Sequence, residues 1–167
     1  MDALEALRTR RCVRSYERRS VPRELIETVV DCGRLAATAR NVQPWRFVVV
    51  TDPSRRKALA DATGVNGPFI AGAGACVVVF CEETKYFLED GSAAVQNLMV
   101  AARALGLGSC WVAGDKKPYA EAVRQLVGAP ASLRLVALVP IGWPLEHPAP
   151  AKKPLREVLH WESFGGR

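Results

Sequence analysis

Histidine is scarce in this sequence: only His147 and His160 are present, both near the C-terminal end. The five cysteines are odd in number and form no Cys-x-x-Cys pair. This pattern excludes a disulfide framework, leaves a transition-metal site short of ligands, and predicts reduced, mostly buried thiols. The P-loop, HExxH, GxSxG and HRD motifs are also missing, so few side chains are suited to acid–base or nucleophilic catalysis. An enzyme with this sequence would depend on a bound cofactor for its chemistry.

Long apolar runs are missing as well. Runs such as residues 75–81 fall far short of the ~20 residues that a membrane-spanning helix needs. The N-terminal segment carries acidic residues and no extended apolar stretch, so we expect no secretory signal and a cytoplasmic location. The length of 167 residues predicts a single domain, residues 1–167, and the 49% hydrophobic and 24% charged residues are typical of a soluble globular protein.

Positive charge is concentrated near the N-terminus. The net charge is +6, and the stretch from Arg8 to Arg23 holds seven arginines against one acid, Glu17. Such a cluster indicates a polyanionic ligand, either a nucleic acid or the phosphate of a cofactor. The stretch has one aromatic residue, Tyr16, and no groove-reading motif, so nucleic acid is the less favoured alternative.

Hydrophobic periodicity predicts alternating helices and strands. The predicted helices cover residues 2–9, about 22–37, 52–62, 90–105 and 118–127, and the strands cover 45–51, 75–81, 109–112 and 133–141. Ser20 and Asp90 are predicted to cap the second and fourth helices. Cys76 and Cys81 are separated by an odd number of positions in one strand and should face opposite ways. The order predicts an α/β or α+β domain with a proline-rich tail.

Four segments resemble one known family. They are residues 10–16 (RRCVRSY), 37–47 (ATARNVQPWRF), 90–111 (from DGSAAVQNLM to GLGSCW) and 141–155 (from IGWP to KKPL). In order and spacing they are similar to the nitroreductase family of FMN-dependent oxidoreductases. The resemblance implies an α+β fold with a central mixed sheet flanked by helices, and an intertwined homodimer with FMN at the subunit interface. It also implies ping-pong hydride transfer from NADH or NADPH, through flavin N5, to a nitroaromatic, quinone or similar small acceptor.

The resemblance places the FMN phosphate and ribityl chain on the N-terminal arginine motif. Arg10 would bind the phosphate, with Lys152 or Lys153 as a second contact, because cationic side chains pair with phosphate. Arg11 and Cys12 would present further groups to the phosphate and ribityl chain. Relatives usually carry serine at the Cys12 position, so a hydroxyl donor is replaced here by a weaker thiol donor.

Three further groups of residues would surround the flavin ring. Arg14 would place a positive charge near N1 and O2, and Asn66 would lie near the ring. A loop of the partner subunit would cover the ring with Ala37, Thr38, Ala39, Asn41 and Gln43. The stretch beside N5 would consist of Val112, Ala113 and Gly114, and Ala113 or Gly114 would direct a backbone N–H at N5. No catalytic side chain and no metal is implied, since the flavin carries the chemistry.

Alternatives remain open within the same resemblance. The fold also suits other flavin chemistry, such as dehalogenation or ring dehydrogenation, or a non-catalytic flavin-binding domain. The short connection of residues 82–89 predicts an open acceptor pocket with Tyr86 and Phe87 at its rim.

Overall fold

The computed structural model describes residues 1–166. Its helices are α1 (Ala3–Thr9), α2 (Arg23–Arg34), α3 (Pro53–Thr63), α4 (Phe87–Ala104), α5 (Ala120–Val127) and α6 (Leu155–Val158). Its strands are β1 (Trp45–Val50), β2 (Ala75–Glu82), β3 (Gly108–Ser109), β4 (Val112–Ala113) and β5 (Leu133–Gly142). The predicted α+β architecture is confirmed. No helix among residues 1–166 combines the length and apolar content that crossing a bilayer demands.

The strands form one sheet in the order β1-β2-β5-β3, and β4 also pairs with β5. All strand pairs are antiparallel, and a single parallel bridge between Cys12 and Ser109 makes the sheet mixed. The predicted strand over residues 109–112 is instead two short strands, β3 and β4. Pro140 of β5 stands opposite the gap between them and has no N–H to donate, so the hydrogen-bond ladder is interrupted there.

Side chains of β2 alternate between two apolar clusters, one on each face of the sheet. Cys81 belongs to the cluster that includes α2 and α4, and Cys76 belongs to the cluster that includes α3 and α5. The predicted opposite orientation of these two cysteines is therefore confirmed. Because both faces are covered, β2 is buried along nearly its whole length and reads as a continuous apolar run.

The predicted helix caps are wrong at two positions. Pro22, not Ser20, precedes α2, and no side chain caps that helix. Since Pro22 has a fixed φ and no N–H to satisfy, the helix begins directly after it. Helix α4 begins at Phe87, so Asp90 lies inside its first turn and does not cap it. Helix α2 also ends at Arg34, which leaves residues 35–44 free to form a long loop before β1.

Candidate active site

The arginine motif lies along the free edge of the sheet. Cys12 bridges Ser109 of β3, and the Val13 N–H donates to the Ser109 carbonyl at 2.9 Å. Gly108 permits this approach, because a Cβ at that position would come within 2.9 Å of the Val13 side chain. The Glu146 carboxylate accepts hydrogen bonds from the backbone N–H groups of Arg14 (2.5 Å) and Ser15 (3.2 Å). Residues 10–16 are thus fixed to the fold by their backbone, and their arginine side chains remain available.

Three arginines line a cavity of about 200 Å³ at this edge: Arg10, Arg11 and Arg103. The other residues of its wall are Thr9, Val13, Leu107, Gly108, Ser109, Pro144, Glu146, His147 and Pro148. Within residues 1–166 none of the three arginines forms a salt bridge. The wall holds three guanidinium groups against one carboxylate, Glu146, so the cavity keeps a net positive charge.

Arg11 is held in a fixed orientation beside this cavity. Its Nη1 donates to the carbonyls of Arg8 (2.9 Å) and Arg10 (2.8 Å), while its Nε is buried and has no hydrogen-bond partner. Arg103 of α4 donates from Nε to Thr9 Oγ1 at 3.0 Å. Three guanidinium groups around one cavity fit an anionic ligand that brings acceptor oxygens.

Cys12 lies beside the cavity and interacts with a second thiol. A hydrogen bond with Cys110, together with the nearby charge of Arg10, lowers the pKa of Cys12 below its usual value of 9.0. The contact with Cys12, together with burial, raises the pKa of Cys110. Cys12 is therefore the thiol of this pair that ionises first, and as a thiolate it would offset part of the charge of Arg10.

Arg14 points away from the cavity, toward the turn that precedes β2. Its guanidinium carbon lies 5.7 Å from the centre of the Phe69 ring. Asn66, three residues before Phe69, is exposed, and its side-chain amide donates to the Thr63 carbonyl at 3.2 Å. An extended chain advances at most about 3.6 Å per residue, so the Cα atoms of Arg10 and Arg14 are no more than about 14 Å apart. The motif thus offers two positive centres, one at the cavity and one near the turn.

Strand β4 leaves one backbone donor free at the same edge. The N–H groups of Cys110 and Gly114 donate to the Pro140 (3.3 Å) and Val136 (3.0 Å) carbonyls of β5. Donors alternate in direction along an antiparallel strand, so the Ala113 N–H points away from β5. The Ala113 carbonyl accordingly faces outward and accepts from the Tyr119 hydroxyl. Of the two backbone donors expected beside N5, Ala113 is the one whose N–H is not already used.

The loop between α2 and β1 is not part of this cavity in the single chain. Ala37, Asn41 and Gln43 are exposed, and Thr38 and Ala39 are half-buried. Lys152 and Lys153 are likewise exposed in the tail and lie outside the cavity wall. One chain therefore places Arg10 and Arg11 at the cavity, with Cys12 and Arg14 on the same segment and the Val112–Gly114 stretch paired with β5 beyond β3. The loop and the tail lysines lie outside the cavity wall.

Sequence reasoning did not assign a role to two residues of the cavity wall, Arg103 and Glu146. Arg103 reads as an ordinary basic residue in the last turn of α4, and only the packing of α1 against α4 directs it toward Thr9. Glu146 lies in the proline-rich tail, 132 positions from Arg14. No local pattern in the sequence signals such a contact.

Comparison with known proteins agrees with this geometry. Residues 7–79 and 63–143 match the family model described as the nitroreductase family. A Methanothermobacter thermautotrophicus protein, provisionally named NADH dehydrogenase/NAD(P)H nitroreductase, is 33% identical over 156 residues, which cover 89% of this chain and 80% of that protein. An iodotyrosine deiodinase of Thermotoga neapolitana is 29% identical over 90% of this chain and 91% of its own.

A solved structure from Desulfovibrio desulfuricans, provisionally described as a nitroreductase in complex with FMN, has 31% identity and a TM-score of 0.86. The match covers 98% of this chain and 98% of that one. Since the family model spans most of the sequence and the fold is shared over nearly all of it, the chain belongs to the nitroreductase family.

Proposed function

We propose that this protein is a homodimeric, FMN-dependent oxidoreductase that transfers hydride from NADH or NADPH to a small acceptor such as a nitroaromatic or a quinone. The observation that carries the proposal is the cavity of Arg10, Arg11 and Arg103, which lies on the same sheet edge as Arg14 and the outward N–H of Ala113. A solved relative described as an FMN complex supports the choice of cofactor.

The cavity suits the phosphate end of FMN. A phosphate monoester carries about −1.5 to −2 charges at neutral pH and offers three acceptor oxygens. Guanidinium groups bind such oxygens in a bidentate geometry, which gives both strength and orientation. Arg10, Arg11 and Arg103 line the cavity and form no salt bridge within residues 1–166, so their charge is available to such a group. Lys152 or Lys153 would add a second cationic contact from the tail.

The rest of the edge suits the flavin ring. When bound, FMN supplies two-electron hydride chemistry at N5. Arg14 would hold a fixed positive charge near N1 and O2, where it stabilises negative charge. The Ala113 N–H would donate a hydrogen bond on the N5 side, and Val112 and Gly114 hold that donor in place by pairing with β5. Asn66 would lie near the ring because it belongs to the same turn region as Phe69.

The remaining contacts would come from a second copy of the chain. A loop outside the cavity of its own subunit contains Ala37, Thr38, Ala39, Asn41 and Gln43. The tail also exposes large apolar side chains, including Leu155, Val158, Trp161 and Phe164. Exposed apolar groups of this size are typical of an interface. A two-fold dimer would use each loop once, on the opposite subunit.

The acceptor pocket would be open. The connection between β2 and α4 is only residues 83–86, and Tyr86 is exposed there, whereas Phe87 is half-buried beneath the guanidinium of Arg134 at 5.1 Å. Tyr86 is therefore the better candidate for the aromatic rim. The deiodinase relative favours reductive dehalogenation as a second candidate reaction on the same site.

The decisive experiment is to purify the full chain, record its absorption spectrum and titrate it anaerobically with NADH and with NADPH. We expect a yellow dimer that binds FMN and is bleached by one or both nucleotides. Reoxidation by a nitroaromatic, a quinone or an iodinated phenol then separates the candidate reactions. A flavin that binds but is not reduced indicates a non-catalytic domain, and a colourless monomer after incubation with excess FMN overturns the proposal.

A further inference from the structure

Asp90 is a buried carboxylate with no ordinary structural explanation. It is 5% exposed and lies in the first turn of α4, beneath the loop of residues 38–43. Its Oδ1 accepts a hydrogen bond from the backbone N–H of Ala39 at 3.0 Å. Its Oδ2 is buried without a hydrogen-bond partner, and within residues 1–166 the side chain forms no salt bridge.

The burial of this carboxylate is costly and its helix does not require it. Transferring a charged group into the interior is unfavourable unless hydrogen bonds compensate for the lost water. Asp90 does not cap α4, because the helix begins three residues earlier and the Asp90 N–H already donates to the Tyr86 carbonyl at 2.9 Å. The N-terminal end of the helix offers partial compensation through its dipole. The specific contact that remains is the one to the loop.

That loop has a strained backbone. Arg40, Asn41 and Gln43 have φ values of 53°, 57° and 52°, and none of them is glycine. Left-handed conformations are unfavourable for residues with a Cβ, and they persist where surrounding contacts determine them. Inside the loop, Thr38 Oγ1 accepts from the Gln43 N–H at 3.3 Å. Asp90 provides, in the described part of the chain, the only hydrogen bond to residues 38–43 from a side chain outside the loop.

We propose that Asp90 is a positioning residue, whose buried carboxylate holds the loop of residues 38–43 in the strained shape that covers the FMN of the partner subunit. Asp90 fixes Ala39, the first residue of a short 3-10 helix (Ala39–Asn41) in the loop. The backbone amides and the Asn41 side chain that follow therefore keep one orientation. Asp90 would not touch the flavin. This inference rests on the proposed function, but the shape of the loop can be measured without any flavin.

The first test is amide hydrogen exchange of the flavin-free wild-type protein by NMR. Exposed loop amides exchange quickly unless a hydrogen bond protects them. The Ala39 amide should exchange about 10-fold or more slowly than the Arg40 amide, which has no backbone or side-chain acceptor in the described chain. Equal exchange at the two positions overturns the proposal, whether or not the protein binds FMN.

The second test compares Asp90→Ala with Asp90→Asn for FMN affinity by fluorescence quenching. Asparagine keeps an oxygen for the Ala39 N–H and alanine does not. We expect Asp90→Ala to weaken FMN binding about 10-fold or more and to speed amide exchange in residues 39–43. Asp90→Asn should restore most of the FMN affinity and most of the exchange protection.

Asp52→Ala is the matched control, since it removes the carboxylate that caps α3 and leaves the loop intact. If Asp90→Ala binds FMN as wild type does, or loses affinity only as Asp52→Ala does, the proposal fails. Absence of FMN binding in the wild type would instead overturn the proposed function.

Discussion

The two segments assigned to the cofactor are held in place in different ways. Residues 10–16 lie against the sheet edge, where backbone hydrogen bonds to Ser109 and the Glu146 carboxylate fix them. Residues 38–43 contain three left-handed residues, and one carboxylate connects them to α4. The arginine segment is therefore fixed by backbone contacts to β3 and by a carboxylate of the tail. The loop has hydrogen bonds within itself and, in the described chain, one side-chain hydrogen bond from outside, that of Asp90.

This difference matches the tasks proposed for the two segments. Binding a phosphate requires positive charge whose position does not relax, because preorganised charge is what makes such a site strong. A loop that closes over a ring must be shaped but also released when the cofactor enters, and such segments belong to the less stable parts of a fold. Substitutions in the arginine segment should therefore abolish most FMN binding, whereas substitutions that affect the loop should only reduce the FMN affinity.

The largest expected effect follows from Arg10→Ala. Loss of a bidentate guanidinium–phosphate contact should weaken FMN binding about 100-fold or more. Hydrogen bonds between charged groups are stronger than those between neutral groups, and a bidentate contact contains two of them. The measurement is FMN content after purification together with a titration of the apoprotein. Arg8→Ala is the control, since Arg8 lies on α1 outside the cavity wall. An unchanged FMN content in Arg10→Ala would contradict the phosphate assignment.

Gly108→Ala tests whether the sheet edge fixes the arginine segment. The new Cβ would come within 2.9 Å of Val13, so either the segment shifts or the strand does. We expect a loss of about 1–3 kcal/mol in the free energy of unfolding, measured with urea, and weaker FMN binding. Gly72→Ala should leave both nearly unchanged, because a Cβ there has no heavy atom within 4 Å. If the two variants have the same stability and the same FMN affinity, the sheet edge does not fix residues 10–16 more firmly than Asp90 fixes the loop.

Arg14→Ala separates the ring end of the edge from its phosphate end. Removing this positive charge should lower the two-electron potential of bound flavin by about 30 mV or more, with a smaller effect on FMN occupancy. Arg14→Lys keeps the charge and should keep most of the potential. The measurement is a spectroscopic redox titration against a reference dye. A potential that does not move in Arg14→Ala would exclude a role near N1.

The smallest effect concerns the pH dependence of FMN binding. The pKa of Cys12 is lowered by Cys110 and Arg10, so below that pKa the thiol is neutral and above it the thiolate offsets the charge of Arg10. FMN affinity should therefore fall in the wild type as the pH rises through the Cys12 pKa, relative to Cys12→Ser, which does not ionise. The second ionisation of the FMN phosphate, near pH 6, affects binding to both proteins in the same way. The ratio of their FMN affinities therefore reports only the ionisation of the Cys12 thiol. If this ratio does not change with pH, Cys12 does not lie close enough to the phosphate to affect FMN binding.

Local sequence patterns predicted much of the fold and part of the site. The continuous apolar run of residues 75–81 predicted a strand, and the odd spacing of Cys76 and Cys81 predicted their opposite orientation; the structure confirms both. The arginine motif predicted a phosphate or another polyanion as ligand, which stays a prediction, and two of its residues, Arg10 and Arg11, line one cavity. Helix ends were less predictable, because Ser20 and Asp90 both look like caps and neither is one. Asp52, by contrast, begins the predicted third helix and does cap α3.

The sequence by itself determined which segments form helices and strands and where positive charge gathers, because periodicity and charge are local properties of the chain. Tertiary structure decided the rest: that Arg103 joins the cavity, that the Ala113 N–H is free and the Gly114 N–H is not, and that Asp90 reaches Ala39. These outcomes depend on strand register and helix packing between residues dozens of positions apart. The partner of each of these hydrogen bonds is set by such contacts, and no local pattern encodes it.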